Sequence, residues 1–390
     1  MNHVSRIIHF VFIFSIPFQA RLVLAHWTTP FNEWTAGFLW GTDILFVALI
    51  ILNFSAKGGS ASGGKFLNKK DLVLGGFLLV ALISIHYALI PQVAWYRFFK
   101  LAEYILVFFY FRNTTFPVAW PIALSAGFQA LVAILQYAFQ HSLGLWFLGE
   151  SPLVVGQAGV ATVVAQGHEY LRAYGTFPHP NLLAVWLLLG LWFAVVLRKK
   201  ALFALMLIAF FLTFSRVAIA VGALSLIFYM PKTKKIISAF LGIVLTFSII
   251  FWPQISSRLH IETSDEAVAQ RVFYTEIAWQ SFREHPITGI GIGQFVPLLM
   301  ERLPIYPDFI YQPVHNIFLL ILAELGIFGL LAFLFLLYFS LRKHLFVLFC
   351  IVILGFFDHY FWTLQQGGLI FWGLLGYLAR DKIITDDQSR

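Results

Sequence analysis

The chain has 390 residues, of which 60% are hydrophobic, 18% aromatic and 11% charged, with a mean hydropathy of +0.83. That composition excludes a soluble globular domain and describes an all-α integral membrane protein. The formal charge of +8 does not indicate nucleic acid, because the lysines cluster between apolar runs and orient them, and the single Cys350 excludes an intrachain disulfide and a cysteine-based metal site.

Hydropathy places about twelve transmembrane helices, near 7–25, 36–54, 72–90, 96–111, 117–139, 181–197, 201–215, 217–230, 236–252, 315–340, 345–362 and 367–379, with both chain ends in the cytoplasm. Arg6 followed by Ile7–Phe18 also has the form of a signal peptide, although an uncleaved first helix is the preferred reading. The Gly/Ser-rich stretch Ser55–Gly64 reads as a flexible cytoplasmic connector. No strong internal repeat is visible, which weakens a transporter built on inverted repeats. In the fourth span Arg97, Lys100 and Glu103 recur on one face, as a buried ion cluster or as part of a substrate path. The first long outer segment, 140–180, ends in Arg172-Ala-Tyr174-Gly175-Thr176-Phe177-Pro178-His179-Pro180-Asn181.

The apolar run Ala201–Met230 carries one charge near its middle, Arg216. Arg198, Lys199 and Lys200 precede the run, and Lys232, Lys234 and Lys235 follow it, so both ends belong on the cytoplasmic side. The run must cross twice, with Ser215-Arg216 at the far turn. Each leg of about 15 residues rises roughly 22 Å, against a hydrocarbon core of about 30 Å. Arg216 is therefore expected in a protein-lined recess with an anionic partner. The outer loops carry arginines and no lysine, and the planar arginine fork suits phosphate oxygens.

The second long outer segment, 253–314, is the largest soluble piece. Thr263-Ser264-Asp265-Glu266 reads as a capping box opening a helix to about Glu284. Val268, Val272, Thr275, Trp279 and Phe282 share one face, with Arg271 and Arg283 at its edges. His285-Pro286-Ile287-Thr288-Gly289-Ile290-Gly291-Ile292-Gly293 follows and on its own predicts only a tight turn. The tenth span opens at His315-Asn316, where Asn316 can cap the helix and hold His315 at the outer mouth. An imidazole there can accept a proton from a sugar hydroxyl near neutral pH, or be purely structural. Glu324, about 13 Å deeper along the helix, is a candidate partner for Lys100 or Arg97.

Taken in order, Arg172-x-x-Gly175-Thr176-Phe177-x-His179-Pro180-Asn181, Thr213-x-Ser215-Arg216, Arg271, the glycine series from His285, His315-Asn316 and Glu324-x-Gly326 resemble the O-antigen ligase and polymerase superfamily of the bacterial inner membrane. The motif-bearing resemblance covers about residues 170–330. It implies a glycosyltransferase that works at the periplasmic face without cofactor or metal and inverts the anomeric carbon. The donor is an undecaprenyl-diphosphate-linked glycan, and in the ligase branch the acceptor is lipid A–core oligosaccharide. Carried over, Arg216 and Arg271 hold the diphosphate and His315 is the base, with Arg172, Ser215, His179, Asn316, Arg97 and Lys100 as further substrate-binding candidates.

Polymerase and protein O-oligosaccharyltransferase branches share the donor chemistry. The short tail Arg380–Arg390 leaves no room for the extra periplasmic domain common in the protein-glycosylating branch, and the single large loop before His315 is more ligase-like. A reading from another class, a lipid-linked sugar flippase, also accounts for the intramembrane charges. It predicts no turnover in detergent, where sidedness is lost.

Overall fold

The computed structural model describes residues 3–56, 69–229, 242, 245–259, 266–304 and 306–380. Over these the protein is mostly helical, as its composition predicts, with two short antiparallel hairpins that an all-α reading leaves out. The expected first span illustrates why. Its helix, His3–Ser15, stops before Pro17, which lacks an N–H to continue the ladder. Residues Arg21–His26 are then extended and pair with Ala36–Trp40, where the second span was expected to begin. That second strand buries Ala36, Phe38 and Trp40, and the Arg21 guanidinium lies 4.3 Å from the centre of the Phe38 ring.

Among the described residues two helices, Ala119–Phe139 and Ile317–Leu341, are long and apolar enough to cross a bilayer. The described residues therefore do not bear out a count of twelve. Other apolar helices, among them Pro180–Val196, Lys200–Leu212 and Leu345–Phe357, have 10–17 residues. At 1.5 Å per residue these rise about 15–26 Å, short of a hydrocarbon core of roughly 30 Å. The span expected at 181–197 matches Pro180–Val196 to within a residue, whereas those at 201–215 and 345–362 ran past the helix ends at Leu212 and Phe357, because hydropathy does not register the turns that break those runs. Residues 236–241 and 243–244 of the expected ninth span, most of the Ser55–Gly64 connector and the capping residues Thr263–Asp265 lie outside the described residues.

The chain divides into two compact units. One comprises residues 1–12, 21–117 and 266–390. Its frame is the helix Pro91–Asn113 packed along Gln365–Leu378, and the helix Lys69–Ser84 packed along Ile317–Leu341. The helix Glu266–Glu284, which ends where the sequence expects, also packs on Ile317–Leu341. The apolar face read from the sequence is not the one packed on this unit. Tyr274, Ala278 and Ser281 are fully buried, with Phe273 and Ile277 packed beside them, while Val272 and Trp279 are exposed. Tyr274 decides this orientation: its hydroxyl donates to the Ile310 carbonyl at 2.6 Å, and burial pushes the phenol up to about 12, so it stays a donor.

The other unit comprises residues 13–20 and 118–265. Helices Ala119–Phe139, Pro180–Val196 and Lys200–Leu212 pack against one another, and Arg216–Tyr229 packs on Pro180–Val196. The helices Lys200–Leu212 and Arg216–Tyr229 are separated at 213–215, where the sequence places the turn. A small hairpin, Thr162–Ala165 with His168–Leu171, leads into Arg172.

Candidate functional site

In the second unit, two buried glutamines of the helix Ala119–Phe139 hold the segment 172–177 in place. Gln136 accepts from the Tyr174 and Gly175 amides at 3.2 and 2.8 Å and donates to the Gly175 carbonyl and to Glu150. Gln129 accepts from the Thr176 amide at 2.8 Å and from its hydroxyl at 3.2 Å. Buried amide side chains with paired oxygens fix a loop because any slip leaves a desolvated dipole without a partner.

Arg172, 5% exposed, is set by that loop. Its Nε donates to the Thr213 carbonyl at 2.7 Å and its Nη2 to Asn181 Oδ1 at 2.8 Å. The Ala173 amide adds a bond to the Leu212 carbonyl at 3.1 Å. Arg172 therefore clamps the end of the helix Lys200–Leu212. His179 accepts from the Asn181 amide at 3.1 Å and caps the helix Pro180–Val196, so these two candidates serve the geometry of the turn. At the turn Phe214 takes a left-handed φ of 47°, and the Thr213 hydroxyl bonds the Phe210 carbonyl at 2.6 Å. Ser215 is buried, and Arg216 opens the following helix with an exposed side chain. The protein-lined recess expected around Arg216 is not reproduced, since the turn before it is buried while Arg216 itself is exposed.

In the first unit, Asn316 caps the helix Ile317–Leu341 by accepting from the Leu319 amide at 3.0 Å, as its position predicts. That cap holds His315 just ahead of the helix. Its Nδ1 lies 3.6 Å from Asp358 Oδ1, and its ring centre lies 5.0 Å from that of His359 and 6.3 Å from that of Tyr274. The Nδ1 atom is buried without a hydrogen-bond partner. Asp358 Oδ1 accepts from the His359 amide at 2.9 Å, and His359 Nδ1 bonds the Thr363 hydroxyl at 2.6 Å. Sequence reasoning missed Asp358 and His359. The signal was available: an adjacent acid and imidazole inside the apolar stretch 345–362 is costly unless used.

The helix that follows His315, Ile317–Leu341, is broken at Gly326, whose φ of 67° and ψ of −168° belong to glycine. The glycine series after His285 repairs the break. The Ile290 and Gly291 amides donate to the Ala323 and Glu324 carbonyls at 3.0 and 2.9 Å, and the Ile327 amide turns to the Pro286 carbonyl at 2.9 Å. A Cβ on Gly289 would lie 2.3 Å from the Glu324 carbonyl oxygen, and one on Gly326 would lie 2.3 Å from that of Ile287. The stretch read as a tight turn is a backbone splint. Gly326→Ala is expected to cost several kcal/mol, because both the φ and the contact with Ile287 are forbidden to it. Thermal denaturation in detergent checks this, and an unchanged midpoint would refute the splint.

Glu324, 3% exposed, does not pair with Lys100. It accepts from the Trp362 indole at 2.9 Å and the Phe295 amide at 3.3 Å. Lys100 instead meets Asp43 at 3.0 Å and Glu103 on its own helix. Nearer carboxylates three residues along and on the helix Gly41–Ala56 satisfy the ammonium, the buried ion cluster considered from the sequence. Arg97 donates to the Thr363 and Trp34 carbonyls at 3.0 and 3.2 Å. Arg97, Lys100, Glu324, Trp34 and Trp362 line one small cavity of this unit. Arg271 is exposed on the helix Glu266–Glu284, one turn before Tyr274.

Residues 201–334 match the family model described as O-antigen ligase. The matched span holds the Ser215-Arg216 turn, Arg271, the glycine splint, His315-Asn316 and Gly326; the Arg172–Asn181 element precedes it and Asp358-His359 follow it. No curated protein sequence matches the chain.

Proposed function

We propose, from the match of residues 201–334 to the O-antigen ligase family model, that this chain transfers a glycan from undecaprenyl diphosphate to lipid A–core oligosaccharide at the periplasmic face of the bacterial inner membrane. The family match supports a glycosyltransferase-like enzyme of the ligase and polymerase class with lipid-linked substrates. The observation that carries the reading further is His315, capped into place by Asn316 with its Nδ1 turned to Asp358.

In the proposed reaction the charge of the Asp358 carboxylate, 3.6 Å from Nδ1 and not hydrogen-bonded to it, favours the proton of a neutral imidazole on Nδ1, which leaves the lone pair on Nε2. Nε2 takes the proton of the acceptor hydroxyl as that oxygen bonds to the anomeric carbon. The bond from the anomeric carbon to the diphosphate oxygen breaks with inversion, and undecaprenyl diphosphate leaves with the electron pair. Arg216 and Arg271 hold the diphosphate and meet the charge that grows on it. Arg172 acts indirectly, by fixing the Thr213 end of the turn that presents Arg216.

The test is a detergent assay with undecaprenyl-diphosphate glycan and purified lipid A–core. A ladder of larger lipopolysaccharide is expected. Growth of the lipid-linked glycan itself would move the assignment to a polymerase, and no turnover of any substrate would favour the flippase.

A further inference from the structure

The donor atoms of His315, Asp358 and His359 all lie within 4.8 Å of one another. We propose that these three side chains form an inhibitory transition-metal site that takes Zn²⁺. The chemistry of the set is that of two imidazoles and a carboxylate, a combination zinc accepts with a fourth position open. The 3.6 Å between His315 Nδ1 and Asp358 Oδ1 is too long for a hydrogen bond. It is close to the roughly 3.3–3.5 Å that separates two donors on one ion with arms of about 2.0–2.1 Å. His315 Nδ1 is buried and has no hydrogen-bond partner, so an ion there would satisfy an atom that the fold leaves unsatisfied.

The surroundings are those of a metal ligand shell. The Thr363 hydroxyl reaches the His359 carbonyl at 3.3 Å, and when it donates there it accepts from Nδ1–H of the same ring at 2.6 Å. That bond fixes the tautomer and puts the His359 lone pair on Nε2, as an outer hydrogen bond does for a ligating histidine. Asp358 is tied to the His359 amide, which keeps carboxylate and imidazole together.

The inhibitory consequence rests on the reading of His315 as the base; the binding does not. A neutral imidazole has one lone pair. Zinc bound at His315 Nδ1 takes it and leaves the proton on Nε2, the nitrogen that must accept the proton of the sugar hydroxyl. The ion and the acceptor therefore compete for one electron pair.

Two readouts on the full-length protein in detergent test this. Zn²⁺ is titrated against a chromophoric chelator, and glycan transfer is followed over the same range of Zn²⁺. One tightly held Zn²⁺ per chain is expected. His359→Ala should weaken it by about 10–100-fold, and Thr363→Val, which removes only the hydroxyl at His359 Nδ1, by about 10-fold. The Zn²⁺ concentration that halves transfer should rise by the same factors. Affinity equal in wild type and both variants, with each variant eluting as the wild type does, overturns the site. Binding that weakens as expected while transfer ignores Zn²⁺ keeps the site and overturns its inhibitory role together with the base assignment of His315.

Discussion

His315→Ala is expected to lower transfer at saturating donor by about 10²–10⁴-fold, the range a positioned general base contributes, while donor binding stays at its wild-type level. The separation follows from where the residue sits. His315 precedes the Asn316 cap and makes no contact on which the helix Ile317–Leu341 depends, since the cap bond to the Leu319 amide comes from Asn316. Its loss therefore leaves the broken helix and its glycine splint intact. The comparison is kcat against KM with the lipid-linked donor, beside direct donor binding to the purified variant. A collapse of donor affinity with turnover preserved at saturation would make His315 a binding residue and remove it from the chemical step. Asp358→Asn gives the companion result. An amide at 3.6 Å from Nδ1 no longer favours a proton there, so kcat should fall with donor binding unchanged, as for a positioning residue.

Local signals were legible in the sequence where one short segment carries the whole cause. The turn at 213–215 follows from one arginine between two lysine-flanked apolar legs, and the helices Lys200–Leu212 and Arg216–Tyr229 form as expected. Asn316 caps the tenth expected span for a reason contained in three residues. What escaped depends on partners far apart in the chain. Gly289 and Gly326 are unremarkable alone, and become intelligible only when the loop amides are seen to replace helical bonds at the break. Asp358 and His359 lie more than forty residues beyond His315, inside a stretch that hydropathy absorbed into one span. The buried face of Glu266–Glu284 was not legible, because apolar side chains lie on both sides of the helix, Val272 and Trp279 on one and Phe273 and Ile277 on the other. Tyr274 wins that competition through a buried hydroxyl bond, which periodicity does not register.

Arg216→Ala is expected to reduce transfer by at least about 10²–10³-fold, the scale for removing one fixed donor from a site of developing negative charge, with expression and detergent elution unchanged. The fold tolerates the change because the turn is held by its neighbours. Arg172 bonds the Thr213 carbonyl, the Thr213 hydroxyl bonds Phe210, and Phe214 and Ser215 are buried, whereas the Arg216 side chain is exposed. Alanine is also a good residue for the first turn of a helix. Arg172→Ala should behave differently. It leaves the Thr213 carbonyl and Asn181 without their buried donor, so it should lower thermal stability as well as transfer. Arg216→Lys separates charge from geometry. An ammonium restores the charge but not the planar fork that meets two phosphate oxygens at once. Transfer by the lysine variant should thus stay well below wild type, with the deficit growing as salt is raised, because a single exposed point charge is more readily screened than a bidentate pair. Wild-type rates for Arg216→Lys would reduce the residue to a general positive charge, and wild-type rates for Arg216→Ala would remove it from diphosphate binding altogether.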